Sequence, residues 1–430
     1  MKILYPLGAL LLVVGGCQSA NLQSSLAPTS NATGPALATT AKTMFERIAQ
    51  VQGEGKTAEI VTASSNGKTL LYNDATGGRV GFVNIEDPAK PKLTGLLKVG
   101  GEPTSVAITH DDKWGLTCSR SADVTAKSEL VIFDFATRRI ARRISLTGQP
   151  DCLKVSADNR YAVIAIENER GDLEKPMPQL PAGFVTIVDL QGTPDKWKLR
   201  NVQLPNLPIR FPTDPEPEFI SINAKNEAAI TLQENNGVVI IDLAKGKVLE
   251  SWSCGTAEHA ADLTKDDEIK FTETLKARRE PDALGWTPGG NIMTANEGDY
   301  DLDEKESGER AGSRSASLFD RKGKLIWDSA NELDEAAAQN GSYKDKRSPK
   351  KGSEPEGVEI GVFGGKPYAF IGCERAEGMA VYDLSDETKP AFVQWLKTGE
   401  NPEGLLAIPS RNLIVSANEG DNTLSIFQMK

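Results

Sequence analysis

Acidic residues recur at one fixed position in this 430-residue sequence. A short phrase containing proline, such as Gly101-Glu102-Pro103 or Glu354-Pro355-Glu356, occurs six times. The residue after the phrase proline is a carboxylate in five of the six copies: Thr104, Asp151, Glu218, Asp282, Glu356 and Glu403. If these side chains converge, they cannot all stay ionised without help. The pattern therefore predicts raised pKa values, arginine partners or bound cations.

A second acidic position lies at the end of the apolar run that follows each phrase. Five of its six members are glutamates: Arg120, Glu167, Glu234, Glu297, Glu374 and Glu419. The first unit offers Asn73 and Asp74 at this place. The aligned carboxylates of the two positions are all expected from units 3 to 7. The segment Asn296-Glu297-Gly298-Asp299-Tyr300-Asp301 adds a local set of oxygen donors. The predicted metal ligands are Glu218, Asp282, Glu297, Asp299, Glu356, Glu374, Glu403 and Glu419.

The donor types favour a hard divalent cation, calcium before magnesium, because they are oxygens without histidine. His110 and His259 are the only histidines, which argues against histidine-rich zinc sites and a Ser-His-Asp relay. Arg120, Arg314 and Arg375 are the expected arginine partners. The alternative is that each acidic residue caps a turn through backbone N–H groups. Asp134, Asp189, Asp242 and Asp383 are assigned to that structural role.

The elements that position these residues form an internal repeat. Each unit contains four short apolar stretches separated by turn residues, which is typical of a β-propeller blade. Pro103 and Pro150 are 47 residues apart, as are Pro355 and Pro402, a spacing within the range of propeller repeats. In a blade, the start of the first strand and the end of the second lie on the same face near the axis. Both acidic positions are therefore expected on one face.

Seven units can be counted, because one precedes the first phrase. The last unit ends after its third strand, and residues 44–48 are expected to supply the fourth and close the ring. The fold class is therefore all-β, a single seven-bladed propeller over residues 43–430. Two sandwich domains would not explain the continuous repeat. Residues 258–276 are expected to form a helical excursion, and residues 301–312 and 331–352 charged loops.

The N-terminus predicts export. Lys2 and the apolar run of residues 7–14 resemble a signal peptide, and Val14-Gly15-Gly16-Cys17 resembles a lipobox with Cys17 as the lipidated residue. Residues 1–17 are assigned to the signal and residues 18–42, rich in Ser, Thr, Ala, Asn and Pro, to a flexible tether. A plain signal peptide is the alternative. Gln18 in place of Asp implies sorting to the outer membrane.

The composition of the chain limits the classes of partner that it is expected to bind. A formal net charge of −11 makes a nucleic-acid surface unlikely and favours cations or cationic partners. The remaining cysteines, Cys118, Cys152, Cys254 and Cys373, have no metal or redox spacing, and most are expected to be buried free thiols.

The ordered motifs also carry a resemblance. Ala295-Asn296-Glu297-Gly298-Asp299, Glu354-Pro355-Glu356-Gly357 and Ala417-Asn418-Glu419-Gly420-Asp421 resemble the choice-of-anchor I family, along with other segments from about residue 280 onward. That family includes proteins similar to the mesenchyme-specific cell-surface glycoprotein and proteins labelled alkaline phosphatase-like. The resemblance implies a secreted or surface-anchored propeller.

Two functions are compatible with these features. The first is a lipid-anchored envelope propeller, facing the surface or the periplasm, that binds an unidentified ligand in a calcium-dependent way. The second is a metal-dependent phosphoesterase in which Arg314 or Arg375 clamps the phosphate. No serine or threonine stands out as a nucleophile, and fold likeness cannot assign the reaction. A redox propeller is a distant third possibility because no cofactor motif is present.

Overall fold

The computed structural model describes residues 44–121, 127–167, 178–297 and 310–430. Their strands form seven antiparallel sheets of four strands each and one separate two-stranded sheet. The first strand of each four-stranded sheet contacts the first strands of both neighbouring sheets, and the seventh contacts the first. The sheets therefore form the blades of a closed ring, which confirms the predicted all-β, seven-bladed propeller.

In each of the first three blades, the four strands follow one another in chain order. Blade 1 contains β2 (Val61–Ala63), β3 (Thr69–Asp74), β4 (Arg79–Asn84) and β5 (Lys92–Lys98). Blade 2 contains β6 (Glu102–Ile108), β7 (Trp114–Arg120), β8 (Glu129–Asp134) and β9 (Arg139–Ser145). Blade 3 contains β10 (Pro150–Val155), β11 (Tyr161–Ile166), β12 (Phe184–Asp189) and β13 (Lys198–Val202).

The next three blades follow the same order. Blade 4 contains β14 (Pro217–Ile222), β15 (Glu227–Leu232), β16 (Gly237–Asp242) and β17 (Lys247–Ser253). Blade 5 contains β20 (Leu284–Trp286), β21 (Ile292–Asn296), β22 (Ser315–Phe319) and β23 (Leu325–Asp328). Blade 6 contains β24 (Pro355–Phe363), β25 (Lys366–Cys373), β26 (Gly378–Asp383) and β27 (Ala391–Lys397).

Blade 7 joins the two ends of the described chain. Its strands are β28 (Pro402–Ile408), β29 (Leu413–Asn418), β30 (Thr423–Met429) and, as the outermost, β1 (Phe45–Gln52). Strand β1 pairs antiparallel with β30 from Phe45↔Met429 to Gln52↔Thr423. The predicted closing strand is therefore confirmed, and it extends beyond residue 48. Strand β1 thus completes the four-stranded sheet of the last blade and pairs the two ends of the described chain with each other.

Apolar side chains fill the space between neighbouring blades. Both faces of a blade are covered, so the second and third strands are almost continuously apolar; every residue of Tyr161–Ile166 is buried. One cluster joins blades 3 and 4 through Val163, Ile187, Ile230 and Val239. Because both faces are buried, the two middle strands of each repeat are almost continuously apolar, and this pattern identifies them in the sequence.

A β-bulge follows the phrase proline in five blades. The register between the first and second strands shifts just after Pro103, Pro150, Pro217, Pro355 and Pro402. Proline has no N–H to donate to the ladder, and a bulge changes the direction of the inserted side chain. The bulge therefore coincides with the acidic position in blades 3, 4, 6 and 7, whereas Asp282 of blade 5 lies just before its first strand.

Residues 258–276 do not form the predicted helical excursion. Their two ends lie in the strands of a β-hairpin, β18 (Thr256–Ala261) and β19 (Glu273–Arg278), which pair from Thr256↔Arg278 to Ala261↔Glu273, and residues 262–272 form the loop between them. Alternate apolar side chains such as Leu275 and Ala277 are buried on one face, which favours strands. The Arg279 guanidinium secures the hairpin by donating to the carbonyls of Cys254 and Thr256, at 3.0 and 2.6 Å.

Residues 331–352 are not only a charged loop. They include α1 (Glu332–Gln339), whose Leu333, Ala336 and Ala337 are buried along one side. Short 3₁₀ helices occupy Pro194–Lys196, Asp345–Arg347 and Pro409–Arg411. None of the helices in the described ranges combines the length and apolarity needed to cross a membrane. Residues 1–43, with Cys17, lie outside the described residues, and their assignments stay predictions.

Phe45 tests the importance of ring closure. Its fully buried ring meets Phe363 and Phe370 edge-on, both with centroids 5.2 Å away. We expect Phe45→Ala to lower the free energy of unfolding by about 3–5 kcal/mol, because it leaves a cavity between blades 6 and 7. Denaturant unfolding measures this, with Ile140→Ala as the control because Ile140 is 38% exposed on an outer strand. Equal losses in both variants would contradict the role given to closure.

Candidate functional site

Six carboxylates surround a small cavity on the propeller axis. The cavity has a volume of about 90 Å³ and is lined at or near the beginnings of the first strands. Its acidic residues come from blades 1, 3, 4, 5, 6 and 7: Glu59, Asp151, Glu218, Asp282, Glu356 and Glu403. We call this set the axial ring. The predicted residues that follow the phrase prolines are therefore brought together.

Glu59 is the member that sequence reasoning missed. Blade 1 lacks the phrase proline, yet Ala58-Glu59-Ile60-Val61 occupies the place of Pro402-Glu403-Gly404-Leu405 in the repeat. The Asn73 side chain donates to Glu59 Oε2 at 2.8 Å and accepts from Ile60 N–H at 2.6 Å. Aligning the blade by its second strand would have found Glu59. The expected restriction of the acidic residues to blades 3–7 is therefore corrected.

Blade 2 interrupts the ring. Its Thr104 hydroxyl donates to the Pro150 carbonyl at 3.1 Å, and Arg120 forms an ion pair with Glu102 at 3.3 Å. In blade 1, Asp74 accepts hydrogen bonds from the Lys56 and Thr57 N–H groups and from Arg79, so it stabilises a loop.

The glutamates at the ends of the second strands approach the ring from the same face. Three groups of carboxylates have ligand oxygens within 4.8 Å of one another. The groups are Glu167, Glu218 and Glu234; Asp282, Glu297 and Glu356; and Glu354, Glu356 and Glu374. Glu419 acts on Glu59 and Glu403 through its charge. Asp299 lies outside the described residues, so its predicted role stays a prediction.

Burial strongly affects the titration of the ring. Desolvation raises the pKa of Glu218 well above its ordinary value, and the charges of Asp282 and Glu234 raise it further. Desolvation likewise raises the pKa values of Glu356 and Glu403, with Glu297 the largest charge effect on the first and Glu59 on the second. These carboxyl groups of the ring therefore bind protons more tightly than exposed carboxyl groups do.

The chain's own cations offset only part of this negative charge. Lys351 Nζ lies 2.9 Å from Glu297 Oε1, and Arg375 Nε lies 2.7 Å from Glu374 Oε2. Arg347 pairs with Glu354. These contacts place Arg375 beside the carboxylates, as predicted, and add Lys351 and Arg347, which sequence reasoning missed. Both follow α1 in a segment with no repeat signal.

Arg314 does not line the cavity. Its side chain is 1% exposed, and it donates to the carbonyls of Asp262, Ser348 and Lys350 at 2.7–2.9 Å. Asp334 lies 3.8 Å from it. These contacts join the hairpin insertion to the segment after α1, so Arg314 has a structural position instead of the predicted place beside a phosphate.

The floor of the cavity contains further residues that the repeat did not reveal. Lys154 Nζ lies 4.8 Å from the centre of the Phe219 ring, and Cys152 lines the same space. Burial raises the pKa of the Cys152 thiol to about 11. Cys118, Cys152, Cys254 and Cys373 are all buried and free, as expected for most of them.

The acidic residues assigned to turns do behave as turn residues. Asp134 accepts from the Thr137 N–H at 2.7 Å, Asp242 from Lys245 N–H at 2.9 Å and Asp383 from Ser385 N–H at 2.7 Å. Asp189 instead binds the Arg200 guanidinium with two hydrogen bonds of 2.9 Å.

Comparison with known proteins supplies the family. The model of the Choice-of-anchor I domain matches residues 59–311 and 306–387. The chain belongs to the choice-of-anchor I family. The match begins at Glu59, the residue that starts the axial ring. A search of the curated proteins finds no match.

Solved structures agree with the fold of this choice-of-anchor I propeller. Hydrazine synthase from Kuenenia stuttgartiensis is 16% identical, with a TM-score of 0.57 over 87% of this chain and 96% of that chain. The Cps50 (Swd1) β-propeller domain from Myceliophteria thermophila is 10% identical, with a TM-score of 0.57 over 90% of this chain and all of that one. At these identities, the likeness concerns the fold alone.

The axial ring predicts an unusual dependence of stability on pH. Its carboxyl groups bind protons more tightly in the folded chain than in the unfolded one, so stability falls as pH rises above the ordinary glutamate pKa of 4.5. In the presence of a chelator, we expect the Tm at pH 8 to lie at least about 5 °C below that at pH 5. Exposed carboxylates with lowered pKa values, such as Asp134 and Asp242, change the stability only at pH values below this range.

Differential scanning calorimetry in chelator measures the effect. Glu403→Gln removes one titrating group of the ring and should reduce the decline. Glu46→Gln, at an exposed ion pair with Lys430, should leave it unchanged. A Tm that is constant or rises between pH 5 and pH 8 would contradict the assignment.

Proposed function

We propose that this choice-of-anchor I propeller is a surface-associated binding module that holds divalent cations, calcium before magnesium, at its axial ring. The observation that carries the proposal is the convergence of carboxylates from six blades on one cavity. At neutral pH, protonation of these carboxyl groups costs free energy, and Lys351, Arg347 and Arg375 offset only part of their negative charge. A bound cation would neutralise this charge directly.

The donor geometry supports a fit. Two oxygens bound to one calcium at about 2.3–2.6 Å are no more than about 5 Å apart. The group of Glu167, Glu218 and Glu234 and the group of Asp282, Glu297 and Glu356 both meet that limit, with oxygens within 4.8 Å. Glu218 Oε2 is buried and accepts no hydrogen bond from a described residue. These two groups are the proposed ligands, and each joins carboxylates of the axial ring to glutamates at the ends of the second strands. The first group comes from blades 3 and 4, and the second from blades 5 and 6.

The cation would fix the positions of the carboxylate side chains around the axial ring. It would also offer a coordination site to an external ligand. Calcium accepts six to eight oxygen ligands, more than three monodentate carboxylates provide. Remaining positions could be taken by water or by oxygens of a polymer, a small molecule or another protein. Lys351 and Arg375 would lie at the edge of that ligand because they contact Glu297 and Glu374.

Cation binding can be measured directly. We expect isothermal titration of the chelator-treated protein with CaCl₂ to give saturable binding and a rise in Tm, with a weaker response to MgCl₂. The double variant Glu218→Gln, Glu356→Gln, which removes one ligand from each group, should weaken calcium binding at least tenfold. The double variant Glu46→Gln, Glu86→Gln removes the same charge from exposed positions and should bind normally. Absence of bound metal, with a Tm unaffected by chelator, would reject the proposal.

A metal-dependent phosphoesterase is the second candidate, favoured by the position of Arg375 beside the carboxylates. A cation there would polarise a phosphoryl oxygen, and the Arg375 guanidinium would hold a phosphate oxygen. The same preparations should be assayed with p-nitrophenyl phosphate. Calcium binding without turnover favours the binding module. Turnover that is lost in chelator and in Arg375→Met, while calcium binding persists, favours the enzyme.

We also propose that Cys17 anchors the chain to the cell envelope, in the outer membrane, through a lipid. The sequence Val14-Gly15-Gly16-Cys17 supports this. Expressed in a bacterium with lipoprotein processing, the chain should partition with membranes and incorporate an alkyne fatty acid. Cys17→Ser should lose the label and appear in the soluble fraction. Unlabelled protein that is processed elsewhere would instead indicate a plain signal peptide.

A further inference from the structure

The outermost strands of blades 1, 2 and 3 carry an excess of positive charge on an acidic chain. Strands β5, β9 and β13 contain seven lysines and arginines and no acidic residue. The outermost strands of blades 4 to 7 contain three basic and three acidic residues, so their charges balance. Five of the seven basic residues are exposed to solvent: Lys92, Lys98, Arg139, Arg143 and Lys198.

The excess remains when the turns that lead into these strands are included. Residues 84–98, 134–145 and 189–202, which we call the basic rim, contain ten basic and five acidic residues. Glu129 on the neighbouring strand β8 adds one carboxylate, which pairs with Arg143 at 2.7 Å. The corresponding residues 242–253, 319–328, 383–397 and 44–52 of the other blades contain eight basic and eight acidic residues. The basic rim therefore stays positive with all of its carboxylates ionised.

Hydrogen bonds between blades join the three parts of the basic rim. The Arg138 guanidinium of blade 2 donates to the Thr94 carbonyl on β5 of blade 1 at 2.7 Å. Arg142 of blade 2 donates to the Pro194 carbonyl of blade 3. Both acceptors are neutral, so these bonds fix the positions of the guanidinium groups and leave their charge uncompensated. The rim is therefore one surface with blade 2 at its centre.

We infer that the basic rim docks on an anionic phospholipid surface. Basic groups are attracted to such a surface without needing a pocket. Ile140 is 38% exposed between Arg139 and Arg142, and a lipid interface accepts an apolar side chain beside cations, whereas a polyanion in water offers it nothing. The same lipid surface would repel the rest of a chain whose net charge is −11, so the contact would orient the propeller.

The orientation has a consequence for the axial ring. The basic rim is formed by the outermost strands, whereas the axial ring lies at the innermost strands. A propeller docked through its rim would therefore leave the face of the axial ring open to external ligands. A lipid on Cys17, 28 residues before Phe45, would hold the protein at a membrane and favour this contact, but the charge of the rim does not depend on it.

Vesicle flotation tests the inference on a chain that begins at Gln18, which lacks the apolar leader and Cys17 and keeps every described residue. The buffer contains chelator, so that no cation can bridge lipid phosphates to the axial ring. The protein should float with vesicles made of equal parts of phosphatidylcholine and phosphatidylglycerol and stay behind with phosphatidylcholine alone. Binding should decrease as the NaCl concentration rises, because salt screens the attraction.

Reversal of one charge on each outer strand tests the position of the contact. The triple variant Lys92→Glu, Arg139→Glu, Lys198→Glu should weaken partitioning onto the phosphatidylglycerol vesicles at least about tenfold, because three attractions become repulsions. The corresponding triple replacement by Gln should give an intermediate loss. Unchanged Tm values would show that these variants are folded.

The matched control makes the same change of net charge on other blades. The triple variant Lys247→Glu, Lys389→Glu, Lys397→Glu alters exposed lysines of blades 4 and 6 and should partition like the unaltered chain. Equal losses in the rim and control variants would overturn the inference, as would absence of flotation at low salt. Binding of heparin that depends on the rim, without binding to vesicles, would also overturn it and identify a soluble polyanion as the partner. Calcium titrations of the axial ring are a separate measurement and do not decide this result.

Discussion

Mutual repulsion among half-buried carboxylates is the constraint on which the functional face depends. Six of them share a cavity of about 90 Å³, and desolvation raises the pKa of Glu59, Glu218, Asp282, Glu356 and Glu403. Such an arrangement opposes folding at neutral pH unless protons or cations neutralise it. Turn capping does not account for this convergence, because carboxylates from six blades line one cavity.

The backbone maintains this arrangement by a local device. In blades 3, 4, 6 and 7 the phrase proline interrupts the ladder, and the ring carboxylate occupies the bulge that follows it. The strands beyond the bulge return to regular pairing, with apolar side chains between blades supplying the stability. The propeller thus separates two tasks: blade interfaces stabilise the ring, and its central bulges collect charge.

The inserted segments modify one side of this symmetric plan. The hairpin after blade 4 and the segment around α1 are joined by the buried Arg314 guanidinium. That segment brings Lys351 to Glu297 and Arg347 to Glu354, so positive charge reaches the carboxylates at blades 5 and 6.

Much of this organisation was readable from the sequence. The recurring phrase, the alternation of apolar stretches and turns, and the missing fourth strand of the last repeat determined seven blades and their closure by β1. They also identified five of the six ring carboxylates, because repeated sequence positions occupy equivalent places in a repeated fold. Arg375 was found for the same reason, since it follows Glu374 at the end of a second strand.

Only the tertiary structure decided the rest. Glu59 lacks the phrase proline and was recognised by its place on the axis. Lys351, which follows α1, and Lys154, at the cavity floor, carry no repeat signal, and their positions depend on packing between elements distant in sequence. Arg314 sits in a motif that resembles the family, yet its guanidinium turns to backbone carbonyls that no spacing could predict. Repetition determines what recurs in every blade, whereas insertions and inter-blade contacts determine what occurs once.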